Sequence, residues 1–188
     1  MMGRTHLVVG MVGAFDLALM THTPISLLGL AVAGTTSLLP DLDEEHSMLG
    51  RRLGGKVGAG LIGAAITAGA VYLRSWPTVP VGLAIAGIPH LRHRGLTHSL
   101  LAVGLLAIYL HWLSATIHDP SVLLMGVAGY GLHLLADFTT NRGIPALEPI
   151  TSRRFGFRLM DTGSPFESLA SMVPIMVGLW YGLSHHVF

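Results

Sequence analysis

Five short stretches of this 188-residue chain concentrate side chains able to hold a cation. His6 stands in Arg4-Thr5-His6, Asp41 and Asp43 follow Pro40, and His93 and His98 bracket Arg94-Gly95-Leu96-Thr97. His133 precedes Asp137 by four residues, and Glu167 closes Asp161-Thr162-Gly163-Ser164-Pro165-Phe166-Glu167. Imidazole with carboxylate suits zinc, with manganese or iron as alternatives. The chain has no Cys, which excludes thiolate-ligated zinc and iron–sulfur sites. The i, i+4 spacing of His133 and Asp137 puts both on one helix face. Asp41 and Asp43 at a helix end can reach one ion or bridge two. His93 and His98 can converge from a loop and a helix. Four His and three Asp exceed the roughly four ligands of one tetrahedral zinc and suit two ions. The expected ligands are therefore His6, Asp41, Asp43, His93, His98, His133 and Asp137, with Glu167 in reserve. Plainer readings exist: a single HxxxD pair arises by chance, and Asp41 and Asp43 can cap a helix or pair with Arg51 and Arg52. Ionisable groups gathered at one membrane level are costly and point to function. His22, His111, His118, His185 and His186 lack accompanying carboxylates and read as helix-contact or interfacial residues; His46 and His90 fit either description.

The elements that must position these groups are membrane helices. Charged residues make up only 11% of the chain against about 25% in an ordinary soluble domain, and hydrophobic residues make up 51%. That excludes a disordered chain, and a net charge of +1 argues against a nucleic-acid binder. Seven apolar segments, 5–20, 24–39, 57–73, 79–91, 97–113, 121–138 and 166–183, are candidate spans. The fourth is short enough to be partial or re-entrant. The expectation is an all-α, polytopic membrane bundle of six to seven helices forming one domain over 1–188. Small residues recurring through 57–65 suit close helix packing in lipid. The first segment resembles a signal peptide, but Asp16 interrupts it and no small-residue cleavage site follows, so it reads as a retained helix.

Seven spans put the amino terminus and the 40–56, 90–97 and 138–165 loops on one side. That side carries Arg4, Arg51, Arg52, Lys56, Arg92, Arg94, Arg142, Arg153, Arg154 and Arg158, and the other only Arg74. The positive-inside rule makes the first side cytoplasmic, together with the His and Asp clusters. Topology alone explains this bias. A sharper reading has Arg94 hold a phosphate bidentately and Arg153, Arg154 and Arg158 hold anionic headgroups.

Taken in order, Thr5-His6, Leu39-Pro40-Asp41-Leu42-Asp43, the His93-Arg94-Gly95-Leu96-Thr97-His98-Ser99 block, His133-x-x-x-Asp137 and Thr162-Gly163-Ser164-x-x-Glu167 resemble a known family. It is the YdjM-like family of prokaryotic inner-membrane metal-dependent hydrolases, described as LexA-regulated or LexA-binding. The family is similar, more remotely, to zinc-dependent phospholipase C and P1 nuclease, helical enzymes whose His and Asp side chains hold zinc ions that cleave phosphate esters. The resemblance implies metal-binding roles for the seven residues above and hydrolase activity. The zinc phospholipases use a processed amino terminus as a ligand; here the chain starts Met1-Met2-Gly3, and His6 is the nearest candidate.

The function expected is cleavage of phosphate esters in membrane lipids by metal-activated water. Asp43 or Glu167 would orient the water or act as base, and Arg94 would neutralise developing phosphate charge. Two alternatives use the same residues differently. One is a metal-ion transporter or sensor, though transport sites usually lie near the bilayer midplane. The other is a non-catalytic membrane scaffold recruiting a soluble partner.

Overall fold

The computed structural model describes residues 2–185; His186 lies outside them. Among the described residues there are eight α-helices and no strand: α1 (Gly3–Met20), α2 (Leu27–Leu38), α3 (Met48–Arg52), α4 (Gly55–Tyr72), α5 (Val79–Gly87), α6 (Leu100–Ile117), α7 (Pro120–Phe138) and α8 (Pro165–Ser184). The all-α expectation holds. Four of the eight, α4, α6, α7 and α8, are long and apolar enough to cross a membrane. The other segments fall short for separate reasons. Arg4, His6 and Asp16 dilute α1, while α2 has 12 residues and α5 has nine. At 1.5 Å per residue those last two span about 18 and 14 Å, well under a hydrocarbon core of about 30 Å.

Local chemistry fixes the helix ends. The Ser26 hydroxyl accepts the Gly29 N–H to start α2. Ser99 does the same for α6 through Ala102, and Asp119 starts α7 ahead of Pro120. After α2, Pro40 brings no N–H and a 3₁₀ turn, Pro40–Asp43, follows. His118 ends α6 in the left-handed region at φ 57°.

The helix α7 is the central post. It packs against α1, α2 and α6, while α1 also touches α2 and α8. Ala14, Ala18, Ala33 and Met125 are fully buried where α1, α2 and α7 meet. The three alanines let helices approach closely where apolar surroundings provide little hydrophobic drive for helix association. A Cβ at Gly129 would lie 2.4 Å from the Ala33 carbonyl oxygen, so α2 and α7 pass backbone against backbone. The helices α4 and α5 form a hairpin packed chiefly on itself, with Gly63 seated against Gly82 and Ala86. The small-residue run of α4 thus serves one hairpin contact. Leu61, Leu105, Ile108, Met176 and Trp180 remain exposed on α4, α6 and α8, the faces a lipid phase would cover.

The helices α2 and α7 run parallel, because Ser26 meets Ser121 at their starts and Ser37 meets His133 near their ends. At that second end gather the start of α1, the 3₁₀ turn after α2, the turn before α6 and the segment between α7 and α8.

Candidate metal centre

Five of the expected ligands come together at the end of α7. His133 and Asp137 face the same way from α7, and His6 stacks on His133 with ring centroids 3.7 Å apart. Asp41 enters from the 3₁₀ turn after α2, and His98 from the turn Leu96–His98 before α6. One donor atom each from Asp41, His98, His133 and Asp137 lies within 4.8 Å of all the others. His6, His98, His133 and Asp137 are completely buried, and Asp41 alone of the group is 16% exposed.

The tautomers can be worked out from the partners. His133 Nδ1 lies 2.7 Å from the Ser37 carbonyl oxygen, which only accepts, so Nδ1 carries the proton and Nε2 offers a lone pair. The Thr97 hydroxyl donates to Asp43 Oδ2 at 2.5 Å, so it accepts from His98 Nδ1 at 3.0 Å. His98 Nε2 then also points inward, 3.4 Å from His133 Nε2. Two imidazole lone pairs that face one another repel unless a cation or a proton sits between them. Both rings are held by an outward Nδ1–H bond, the arrangement that orients imidazole ligands at metal sites.

The spacing fits an ion as well. Donors held about 2.0–2.2 Å from a tetrahedral centre stand about 3.3–3.6 Å apart. Here Asp41 Oδ1 is 3.7 Å from both His98 Nε2 and His133 Nε2, and Asp137 Oδ2 is 3.5 Å from His98 Nε2. Neither ring nitrogen of buried His6 makes a hydrogen bond; its Nε2 points at Asp137 Oδ1 from 3.4 Å. The donor set is chemically and geometrically suited to a divalent cation.

Charge is arranged to suit. Burial alone would raise the Asp41 carboxyl, but the nearby imidazoles of His98, His133 and His6 outweigh it and hold it well below the ordinary range. Burial would likewise lower His98, but the Asp137, Asp41 and Asp43 carboxylates around it prevail and raise it.

The remaining expected residues are engaged otherwise. Asp43 is buried one layer behind His98, accepting from Thr97, from the Arg94 N–H at 3.2 Å and from His93 Nδ1 at 2.7 Å. His93 is about one-third exposed and leans on Asp43 and Glu44 rather than joining the four. Arg94 adopts φ 53° and turns its guanidinium inward, 2.9 Å from Asp137 Oδ2. Glu167 accepts the Met2 N–H at 2.5 Å and the Gly163 N–H at 2.6 Å, clasping the start of α1 to the first turn of α8. His22, His46, His90, His111, His118 and His185 are exposed, and none belongs to the group. Sequence reasoning missed Ser37, Thr97 and Tyr130, whose hydroxyl donates to the Thr97 carbonyl at 2.5 Å and pins that turn to α7.

Asp41, His93 and Arg94 also line a cavity of about 860 Å³ that opens over the group from outside. Its size falls within the range of about 300–1,000 Å³ usual for small-molecule sites.

A family model described as YdjM inner membrane protein matches residues 1–186. The chain belongs to this family. The YdjM match spans the turns and helices that supply every donor above. Two relatives are both named "Inner membrane protein YdjM", one from Escherichia coli (strain K12) and one from Shigella flexneri. Each is 32% identical over 148 residues, which is 77% of this chain and 62% of the relative. The match thus spans less than two thirds of the curated YdjM relatives. No solved structure matches, and the remote likeness to zinc phospholipase C and P1 nuclease is not shown by the family match or the relatives. Family membership and the apolar helices support a bacterial inner-membrane location.

Proposed function

We propose that this protein is a membrane-embedded, metal-dependent hydrolase that cleaves phosphate esters, with lipid headgroups as the substrate class. One observation carries the reading: Asp41 belongs to the buried donor group and also lines the outer cavity, so the group has one open edge and that edge faces an arginine-bearing pocket. A divalent cation, zinc by donor type, would supply Lewis acidity toward a phosphoryl oxygen and acidify water for attack at neutral pH. Asp41, His98, His133 and Asp137 would hold it. Asp137 turns Oδ1 to His6 and Oδ2 to His98, so both of its oxygens face imidazoles of the cluster.

The chain's own groups then divide the work. Arg94, already beside Asp137, is placed to offset charge developing on phosphate. Thr97 and Asp43 orient His98, and the Ser37 carbonyl orients His133. With their oxygens taken by N–H and O–H donors, Asp43 and Glu167 act in this reading as positioning residues rather than as the base. The arrangement with Arg-rich loops inside and the amino terminus cytoplasmic follows from the positive-inside rule. The four segments that the rule puts on one side do meet at one end of the bundle.

The test is elemental analysis of detergent-purified protein, then assay against a panel of phospholipids with and without chelator. The reading expects stoichiometric zinc or a related metal, and phosphate-ester cleavage that chelator abolishes and metal restores. Metal-free protein, or metal-dependent uptake into proteoliposomes with no ester cleaved, would overturn it.

A further inference from the structure

We infer, resting on the phosphate-ester reading above, that the cavity recognises a second anionic group beside the reacting phosphate, so that the substrate class is a diphosphate rather than a simple monoester. The positive-inside rule accounts for which side a basic residue occupies, but not for where on that side it lies. Of the ten basic residues placed there, five line the one cavity over Asp41: Arg4 from α1, Arg51 and Arg52 from α3, Arg94, and Arg142 from beyond α7. Arg153, Arg154 and Arg158 do not.

The five separate into two levels. Arg94 is buried and committed to Asp137 and the Gly143 carbonyl, at the donor group itself. Arg4, Arg51, Arg52 and Arg142 are exposed at the rim, and none has a carboxylate partner within ion-pair distance among the described residues. The acidic residues lining the cavity are Asp41, which belongs to the donor group, and Glu44, which leans toward His93. A single phosphate at Asp41 and Arg94 would leave the four exposed rim guanidiniums without an anionic partner among the described residues. A second phosphate would supply that partner, since guanidinium is the side chain best matched to phosphate oxygens. Three separate segments supply these four residues, so their convergence is a property of the fold and not of one basic run.

The test measures binding, not turnover. Metal-loaded protein in lipid-free detergent is titrated with inorganic phosphate and with inorganic pyrophosphate, and metal content is assayed before and after to show that pyrophosphate has not stripped it. Pyrophosphate should bind at least about tenfold tighter, the scale of one charge-assisted contact. The double variant R51Q/R52Q should remove most of that preference while leaving metal content and phosphate affinity unchanged. Equal affinity for the two anions, or an unchanged preference in R51Q/R52Q and again in R4Q/R142Q, would overturn the inference. Protein that binds no metal would instead defeat the underlying hydrolase reading, so the two failures are told apart.

Discussion

The parallel pair α2 and α7 is bracketed by two polar clusters, and they differ in one respect. At the starting end, Ser26 donates to Asp119 Oδ2 at 2.6 Å, Ser121 donates to Asp119 Oδ1 at 2.6 Å, and the Gly29 N–H caps onto Ser26. The Asp119 carboxylate accepts from both hydroxyls and from the Ser121 N–H, so each of the three side chains has at least one complementary partner. At the far end, lone pair faces lone pair between His98 and His133, and both nitrogens of His6 go without a hydrogen bond. Polar groups buried in apolar surroundings are normally satisfied, and the exceptions call for a reason. The first cluster is complete as a joint cap that aligns two helices. The second lacks such pairing, and a cation or a shared proton between the rings would complete it. Composition alone would not separate them, since both mix carboxylates with polar partners.

The sharpest way to break this contrast is Asp137→Asn, which removes one anionic donor and its contacts to His6, His98 and Arg94. Metal retained by the purified protein after dialysis should fall to background, and any hydrolysis with it. Unchanged metal content would remove Asp137 from the ligand set. Thr97→Val comes next. It keeps the side chain's shape but cuts the link from Asp43 to His98, and should weaken metal affinity by about 10–100-fold, read by competition with a chelator, with helix content unchanged by circular dichroism. Gly129→Val should then lower stability without touching a ligand. Its added carbons meet the Ala33 backbone, an overpacking cost of about 1–3 kcal/mol, visible as a lower melting temperature. The smallest effect belongs to the satisfied cluster. Ser26→Ala should cost about 1 kcal/mol as a lost cap and leave metal content as in the parent. A loss of metal there would erase the distinction between the two ends.

Much of the second cluster was legible in the sequence because its donors are unusual residue types for apolar helices. His6, Asp41, His98, His133 and Asp137 could be singled out by type and spacing, and the structure brings them to one place. Asp43 and His93 could not be sorted from them. In a 3₁₀ turn of about three residues per turn, positions two apart point in well-separated directions. Asp41 therefore faces the group while Asp43 faces Thr97 and His93. The Ser37 carbonyl was invisible for a different reason: every residue has one, and only the close passage of α2 and α7 brings this one to His133. Among the elements, the all-α class followed directly from composition. The lengths of α2 and α5 did not, because apolar residues continue past both helix ends into the 3₁₀ turns that carry Pro40 and Pro89.

The parallel pair also sets a depth. His133 in the donor group lies twelve positions along α7 from Ser121 in the joint cap, about 18 Å along the axis. A hydrocarbon layer is about 30 Å thick, so the two polar clusters cannot both sit at its surfaces unless the bilayer is thinned around α2. Hydrophobic mismatch of this kind is met by local thinning or by sinking polar groups below headgroup level. Where the donors sink below headgroup level, the wide cavity above Asp41 is the opening through which water can still descend to them.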